Sequence, residues 1–334
     1  MMIGKKILRP ICGALLALLC ALPFARDAAA QAWPAKAVRL LVPFPPGGPA
    51  DITARAYTDK LGAALGQPFL LENRPGPNGI IVSNAIIASP ADGYAFAFSS
   101  VGGQVLAPAI NAYLKRPQEP DVLKLLVPVG LLAETPLMVV VNPALNINTL
   151  GELIAYAKAN PGKLNFGSDG IGSSTHLAEE LFNKALGISA VHIPFKGTVD
   201  VMNAMMGGEI QYSFSGIATP LPLHRQGRVK ILATGGASAT AALPSAPTVA
   251  AAAKLPGFDV ASWFAVFARA GTDAGVIATL SREIQKISKL PDVIERLRNV
   301  GIDALSSTPE QLAAKVDADY RKWSDLLKTG VKLD

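Results

Sequence analysis

The chain has 334 residues, half of them hydrophobic, with 31 basic and 25 acidic side chains and a formal net charge of +6. This positive excess is mild, and no cluster of Lys and Arg with interleaved aromatic residues occurs, which argues against a nucleic-acid partner. Cys12 and Cys20 both lie near the N-terminus, so the rest of the chain can form neither a disulfide nor a cysteine-based metal site.

The first 30 residues have the pattern of a cleaved export signal. Lys5, Lys6 and Arg9 precede the apolar run Ile11–Phe24, and Ala28–Ala30 supplies the small residues expected at a cleavage site. The apolar run is shorter than the roughly 20 residues that span a bilayer, although a retained N-terminal anchor is the alternative. We therefore expect an exported mature chain that starts near residue 31.

The first structural unit contains a candidate anion site. Val38–Phe44 is long enough for a buried strand and too short for a helix, and Pro45–Gly48 stops it in a flexible turn. Pro49 suits the first position of a helix, and Asp51 complements the positive end of its dipole. A strand, a Gly-Gly turn and a helix start leave several N–H groups near one point, although an ordinary strand-to-helix turn is the alternative.

Short strands then alternate with helices, which is typical of βαβ units and a mostly parallel sheet. In the first half we predict strands at 68–72 and 94–98 and a helix at 79–89 with Ile81, Ala85 and Ile86 inward. Residues 108–124 lack clear periodicity and are predicted to wrap the surface. Residues 128–141 are nearly all apolar and form one or two strands, broken at Thr135–Pro136.

The alternation restarts at residue 149, where the capping-box pattern Thr149–Glu152 opens a helix. The predicted strands that follow are 163–167, 190–195, 209–214, 229–234 and 263–268, and the predicted helices are 173–185, 199–206, 220–226, 273–290, 292–300 and 309–328. Two successive runs of βα units indicate two α/β lobes. The late strand and helices are predicted to complete the sheet of the first lobe.

The second lobe repeats the pattern of a helix start after glycines. Ser173 and Ser174 follow a predicted strand and Gly170-Ile-Gly172, so their hydroxyls can cap a helix or bond a ligand. Lys196-Gly197 adds a cation to a similar turn, although a lone Lys is usually a solvated charge. Two lobes that each offer helix N-termini predict a clamp around an anion.

Catalysis has little support in the sequence. His176, His192 and His224 show no metal-ligand spacing, and His192 lies in an apolar strand, where a satisfied core histidine is expected. No G-x-S-x-G motif occurs, yet a Ser–His–Asp site could assemble in three dimensions, so an exported serine hydrolase stays an alternative. We predict no catalytic residues, no metal and no cofactor.

Several segments, in the same order, resemble the Bug (TctC-type) family of solute-binding proteins of tripartite tricarboxylate transporters. They include LVPFPPGGPADITAR, NRPGPNG, SPADGYAF, GSSTHLAEELF, VHIPFKG, MMGGEIQ, LPSAPTVAAA, SWFAVFARAGT and TPEQLAAKVDADYRKW. The resemblance implies a monomeric periplasmic receptor of the two-lobed, type II-like α/β class. It would hold a small carboxylate, such as a di- or tricarboxylate or an aromatic acid, in the interlobe cleft and present it to membrane permease subunits.

The predicted organisation is an export signal at 1–30, lobe 1 at 31–132 and 259–334, and lobe 2 at 133–258. Carried over from the resembling motifs, the expected ligand-binding residues are Gly47, Gly48, Asp51, Asn78, Gly79, Ser99, Ser168, Ser173, Ser174, His176, Lys196 and Gly197.

Two segments depart from the family pattern. Ser215-Gly216 stands where the family often has an Asp-Asn pair, so we expect no acidic group there for a ligand amine, which disfavours amino acids. The segment Tyr113–Lys124 also lacks the usual pattern. Uptake and sensing through a membrane sensor kinase both require the same liganded surface, so both hypotheses stay open at this point.

Overall fold

The computed structural model describes residues 33–76, 79–117, 120–331 and 333. The predicted export signal at 1–30 and the candidate ligand residue Asn78 lie outside the described residues. Lys36–Asp334 form one compact unit, and every described helix and strand belongs to it. None of the described helices is both long and apolar enough to cross a membrane.

Two β-sheets organise this unit. The strands in chain order are β1 Val38–Val42, β2 Phe69–Asn73, β3 Ala95–Ser100, β4 Leu126–Thr135, β5 Leu137–Val141, β6 Asn165–Ser168, β7 Val191–Pro194, β8 Tyr212–Gly216, β9 Lys230–Thr234, β10 Ser262–Arg269 and β11 Asp303–Ala304. The first sheet has the order β11-β4-β10-β3-β1-β2, and the second has the order β7-β6-β8-β5-β9.

Each sheet mixes parallel and antiparallel pairs. In the first sheet β1 is parallel to β2 and β3, whereas β10 runs antiparallel between β3 and β4. In the second sheet β6 is parallel to β7 and β8, whereas β5 runs antiparallel between β8 and β9. The chain therefore has the predicted two-lobed α/β fold. β5 is the one opposed strand of the second sheet, whereas β10 and the short edge strand β11 both run against the other strands of the first sheet. β10 enters the first sheet from far along the chain, as predicted.

Helices flank both sheets. They are α1 Pro49–Leu65, α2 Ile80–Ala88, α3 Ala107–Tyr113, α4 Val122–Leu125, α5 Leu150–Ala159, α6 Ser174–Leu186, α7 Thr198–Gly207, α8 Pro220–Arg225, α9 Val249–Ala252, α10 Ala274–Ile287, α11 Pro291–Arg298 and α12 Pro309–Leu327. A π-helical turn, Gly102–Leu106, leads directly into α3, and a 3₁₀ turn spans Pro143–Leu145.

Side-chain caps explain where several helices begin. Thr149 accepts a hydrogen bond from the Glu152 N–H at the start of α5. Thr308 and Gln311 form a full capping box at the start of α12, in which each side chain bonds the other residue's backbone N–H. Both caps fall where the sequence predicts them.

Buried polar pairs fix how helices sit on the first sheet. Trp263 of β10 donates from Nε1 to Asp319 Oδ2 of α12 at 2.9 Å, and both residues are buried. The Tyr57 hydroxyl of α1 donates to the Leu132 carbonyl of β4 at 2.5 Å. Because an unpaired buried polar group is costly, these bonds favour one packing arrangement over its alternatives.

Two predictions about the first half of the chain are wrong. Ile81 is exposed rather than inward, because Val82 and Ile86, four residues apart, form the buried face of α2. Residues 108–124 do not simply wrap the surface, since α3 and α4 lie there and bury Ala109 and Val122. Helices of one or two turns contain too few apolar repeats to produce a visible period.

Candidate functional site

The first-lobe turn between β1 and α1 is held by its own hydrogen bonds. Gly47 has φ of +83°, a conformation that only glycine adopts at low cost, and its N–H donates to Asp51 Oδ2 at 3.0 Å. Gly48 is extended, with φ of −81° and ψ of 171°, and it precedes α1 without a side-chain cap. Among the described residues, no acceptor engages the Gly48 N–H. This turn therefore presents a backbone donor at the positive end of α1.

Asp51 stabilises that turn. The residue is only 2% exposed, and its carboxylate accepts hydrogen bonds from Gly47 N–H, Arg55 Nε at 2.9 Å and Asn73 Nδ2 at 2.9 Å. Burial raises the pKa of Asp51, but the bonds from Arg55, Gly47 and Asn73 outweigh it and hold the pKa below its usual value. Both oxygens are thus occupied within the first lobe.

The second-lobe helix start is built from hydroxyl groups and glycines. Ser173 caps α6, its Oγ accepting from the His176 N–H at 3.1 Å, and lies 3.0 Å from Thr175 Oγ1. Gly170 and Gly172 have φ of +121° and +73°, so the loop can curl tightly before the helix. No described acceptor bonds the N–H groups of Ser174 and Thr175. The start of α6 therefore combines a helix dipole with free donors.

Two histidines stack beneath this loop. The His176 and His192 rings lie 3.9 Å apart and nearly parallel, and Phe166 stacks on His192 at 4.9 Å. His176 Nδ1 accepts from the Gly172 N–H at 3.1 Å, so Nε2 carries the proton of the neutral ring. Burial lowers the pKa of His176 to about 3, with a further contribution from His192, and burial lowers the pKa of His192 to about 4. Both rings are neutral at physiological pH and supply no positive charge.

Ser168 and His192 form a pair that has only part of a hydrolase site. Ser168 Oγ lies 2.7 Å from His192 Nε2, the distance of a Ser–His pair. Ser168, however, is 0% exposed and also hydrogen bonds the Gly170 backbone. In the described chain no carboxylate bonds His192 to orient it, so the pair gives the hydrolase alternative no support.

Burial raises the pKa values of two acidic groups near the α6 start. Asp169 Oδ2 accepts from Thr198 Oγ1 at 3.0 Å, and burial raises the pKa of Asp169 despite that bond. Glu179 of α6 is fully buried, its Oε1 accepts from the Phe214 N–H at 2.5 Å, and burial holds its pKa well above the usual value. The raised pKa of Glu179 favours its neutral form, which lowers the negative charge near the helix start.

The remaining predicted residues lie at ends of strands and turns. Gly79 has φ of +70°, and its Cα faces Pro43 just beyond β1, which brings it next to the first-lobe turn. Ser99 is buried at the end of β3. Gly197 caps α7 in an extended conformation, and Lys196 beside it is exposed.

A cavity of about 340 Å³ lies beside the α6 start. Asp169, Ser173 and Ser174 line it from the second sheet's side, and Gly102, Asn111 and Arg116 line it from the helical segment after β3. The structure thus brings Ser173 and Ser174 close to the helical segment that follows β3 of the first sheet. Gly47, Gly48 and Lys196 do not line this cavity. The sequence analysis missed Asn111 and Arg116, although Arg116 falls in the segment that departs from the family pattern.

The histidine and carboxylate groups do not form a metal site. No group of three or more metal-ligating side chains occurs in the described chain. Two mixed sheets, each flanked by helices, form the two-lobed α/β class of fold that the sequence predicts.

The chain belongs to the tripartite tricarboxylate transporter family receptors, the family whose model matches residues 53–331. It is 34% identical to protein BugT of Bordetella pertussis over 311 residues, which cover 92% of this chain and 94% of that one. The resemblance to the Bug family in the sequence motifs is thereby confirmed.

Two solved structures of similar proteins contain a carboxylate. One is R. palustris Rpa4515 with adipate, which has a TM-score of 0.75 and 29% identity and covers 89% of this chain and 98% of that one. The other is MatC from Rhodopseudomonas palustris with bound malate, with a TM-score of 0.69 and 29% identity over 88% of this chain and 99% of that one. These neighbours confirm the two-lobed fold.

Proposed function

We propose that this chain is a periplasmic, non-catalytic receptor that captures a small carboxylate between its lobes and delivers it to the membrane subunits of a tripartite tricarboxylate-type transporter. The α6 start carries this proposal. It presents unbonded N–H groups and the Ser174 hydroxyl beside a cavity that the helical segment after β3 closes from the other side. Family membership, and the adipate and malate in two similar structures, support the ligand class.

Charge around the α6 start favours an anion over a cation. The two histidines beneath the loop are neutral, and burial raises the pKa of both Asp169 and Glu179, which reduces their repulsion of a carboxylate. The N-terminal end of the 13-residue α6 contributes a positive dipole end. A carboxylate at this point accepts hydrogen bonds from the N–H groups that have no acceptor within α6.

The predicted ligand-binding residues stay part of the proposal. We assign the direct contacts to the turns Gly47-Gly48 and Ser173-Ser174, where the N–H groups of Gly48, Ser174 and Thr175 have no described acceptor. Asp51 and Ser168, whose oxygens are engaged within the protein, and His176, whose Nδ1 accepts from the Gly172 N–H, hold these two turns in shape. The lobe boundaries at residues 132, 133, 258 and 259 and the monomeric state belong to the same proposal.

A thermal-shift screen against small mono-, di- and tricarboxylates tests the ligand class. At free ligand about 100 times the dissociation constant, binding to the folded state alone adds roughly 2.7 kcal/mol to the free energy of unfolding. The expected result is a rise in the unfolding midpoint with at least one carboxylate, followed by recovery of that carboxylate unchanged. A chemically altered ligand would favour the hydrolase, and no shift with any carboxylate would contradict the proposal.

Localisation and partner need separate experiments. Intact mass of the exported protein should match a chain that begins near residue 31, and a mature form that retains Lys5 and Lys6 would contradict cleavage. Reconstituted with its permease subunits in vesicles, the liganded receptor should drive carboxylate uptake. Uptake that proceeds equally without the receptor would remove the transport role and leave sensing as the remaining hypothesis.

A further inference from the structure

Arg116 occupies a fixed position at the end of α3. Its N–H donates to the Asn111 carbonyl at 2.8 Å, and the Lys115 N–H donates to the Ala112 carbonyl at 3.2 Å. Lys115 itself has φ of +54°, in the left-handed region. These two bonds around a left-handed residue form a Schellman motif, which fixes the direction of the chain as it leaves a helix. The backbone of Arg116 is therefore held in place although it lies beyond the helix.

Arg116 lines the cavity beside Ser173 and Ser174. Within the described chain no hydrogen bond or ion pair engages its guanidinium. Asp169 lines the same cavity, but no described ion pair joins it to Arg116, and its Oδ2 accepts from Thr198 Oγ1. An arginine is always charged and offers a planar set of donors that fits a carboxylate in two parallel bonds.

We propose that Arg116 is a specificity-determining residue that binds the second carboxylate of an extended dicarboxylate. The first carboxylate lies where the proposed function, on which this inference rests, places it, at the N–H groups of Gly48, Ser174 and Thr175. Leu106 and Ile110 also line the cavity and supply apolar side chains for the hydrocarbon between the two carboxylates. Asn111 supplies a neutral side-chain amide near Arg116. Dicarboxylates are therefore preferred over monocarboxylates of equal length.

The test measures affinities by calorimetry for the wild type and three variants against matched ligands. The ligands are succinate, glutarate, adipate and pimelate, with hexanoate and adipate monomethyl ester as partners that lack the second charge. The variants are Arg116→Gln, Arg116→Lys and Lys115→Gln. Lys115→Gln removes the same unit charge from the adjacent exposed residue, whose side chain does not line the cavity. It therefore controls for the general loss of positive charge.

We expect the wild type to bind its best dicarboxylate at least tenfold more tightly than the matching monoester. Arg116→Gln should weaken dicarboxylate binding about 10- to 100-fold, because a charge-assisted bond is lost, and should change monoester binding less than threefold. Lys115→Gln should leave both affinities within threefold of the wild type. Arg116→Lys keeps a charge without the planar donor pair, so its loss should be intermediate.

Circular dichroism and thermal melts of each variant show whether the fold is kept, which we expect because Arg116 is exposed. An Arg116→Gln protein that folds and still prefers the dicarboxylate by the wild-type factor overturns the assignment of Arg116. A dicarboxylate preference lost equally in Lys115→Gln also overturns it, since general charge would then explain the preference. Failure of the wild type to bind any carboxylate contradicts the proposed function instead, so the two failures are distinguishable.

Discussion

Gly47 and Gly48 are adjacent residues with different structural roles. Gly47 is left-handed, with φ of +83°, and its N–H bonds Asp51. Gly48 is extended, and a Cβ built on it would meet only the Pro45 carbonyl at 3.9 Å. A side chain is therefore strained at Gly47 whatever the space around it, and tolerated at Gly48.

Valine substitutions at these two positions should separate folding from binding. Gly47→Val is expected to lower the free energy of unfolding by about 1–2 kcal/mol, because an L side chain is disfavoured in the left-handed region. Gly48→Val should keep the wild-type unfolding midpoint and abolish measurable carboxylate binding, since it adds bulk where the anion approaches the backbone. Thermal melts and calorimetry measure the two effects. A Gly48→Val protein with wild-type affinity would exclude this turn from the site.

Ser173 and Ser174 form a second matched pair. Ser173→Ala removes the cap of α6 and should cost about 1 kcal/mol of stability, measured by chemical denaturation. Ser174→Ala leaves that cap intact, so we expect normal stability and an affinity about tenfold to a hundredfold weaker, the loss of one hydroxyl bond to a carboxylate. If Ser174→Ala binds as tightly as the wild type, its hydroxyl does not contact the ligand.

At the scale of elements, the histidine stack connects three of them. His176 belongs to α6, His192 to β7 and Phe166 to β6, and their rings form one stack. The stack supports the loop between β6 and α6 from below. Because this packing requires neutral imidazoles, the conformation of the loop depends on pH through the protonation of these two histidine rings.

The stability that the two histidines contribute should fall as the pH drops below about 6.5. The folded pKa values of about 3 for His176 and about 4 for His192 lie below the ordinary value of 6.5. Between these values the two side chains bind more protons in the unfolded chain than in the folded chain, so their contribution is full above about pH 6.5 and is lost progressively toward pH 4. Chemical denaturation at pH 7, 6 and 5 measures the slope.

His192→Phe keeps an aromatic ring in the stack and removes one titrating group. This variant should therefore show a shallower decrease of stability between pH 7 and pH 5 than the wild type. Proton NMR gives a direct check, because both imidazoles should still be neutral at pH 5. Titration of these two rings near pH 6.5 would show that the folded structure does not hold them in the neutral form.

For the molecule as a whole, the links between the sheets determine how the lobes can move. β4 of the first sheet continues through Pro136 directly into β5 of the second. Thr240 Oγ1, in the segment that leads back from the second sheet, donates to Asp303 Oδ2 of β11 at 3.1 Å. The one-residue connection at Pro136 permits hinge bending about that point, the motion by which two-lobed binding proteins close.

A carboxylate that bonds both lobes should close the molecule. Solution scattering is expected to give a smaller radius of gyration with saturating ligand than without it, since the closed state makes more contacts with the ligand. Gly48→Val, which we expect not to bind, is the control and should show no change. An unchanged radius in the wild type at saturation would contradict closure on the ligand.

Much of this fold could be predicted because its signals are local. The caps at Thr149 and Thr308, the break at Pro136 and the apolar strands depend on residues within a few positions of each other. Predictions were wrong for Ile81 and for residues 108–124. In both cases burial depends on which surface the short helix packs against. A helix of one or two turns has too few apolar residues for the sequence to indicate that surface.

The sequence by itself determined the two-lobed α/β class, the family and the helix starts that offer backbone donors. Those features follow from propensity, capping and motif order, which are written in contiguous residues. Only the tertiary structure decided that Asp51 bonds Gly47, that His176 lies on His192, and that Arg116 shares a cavity with Ser173. Each of these pairs is brought together by the fold. The charge and role of such a side chain depend on the groups that surround it in space, not on its neighbours in the sequence.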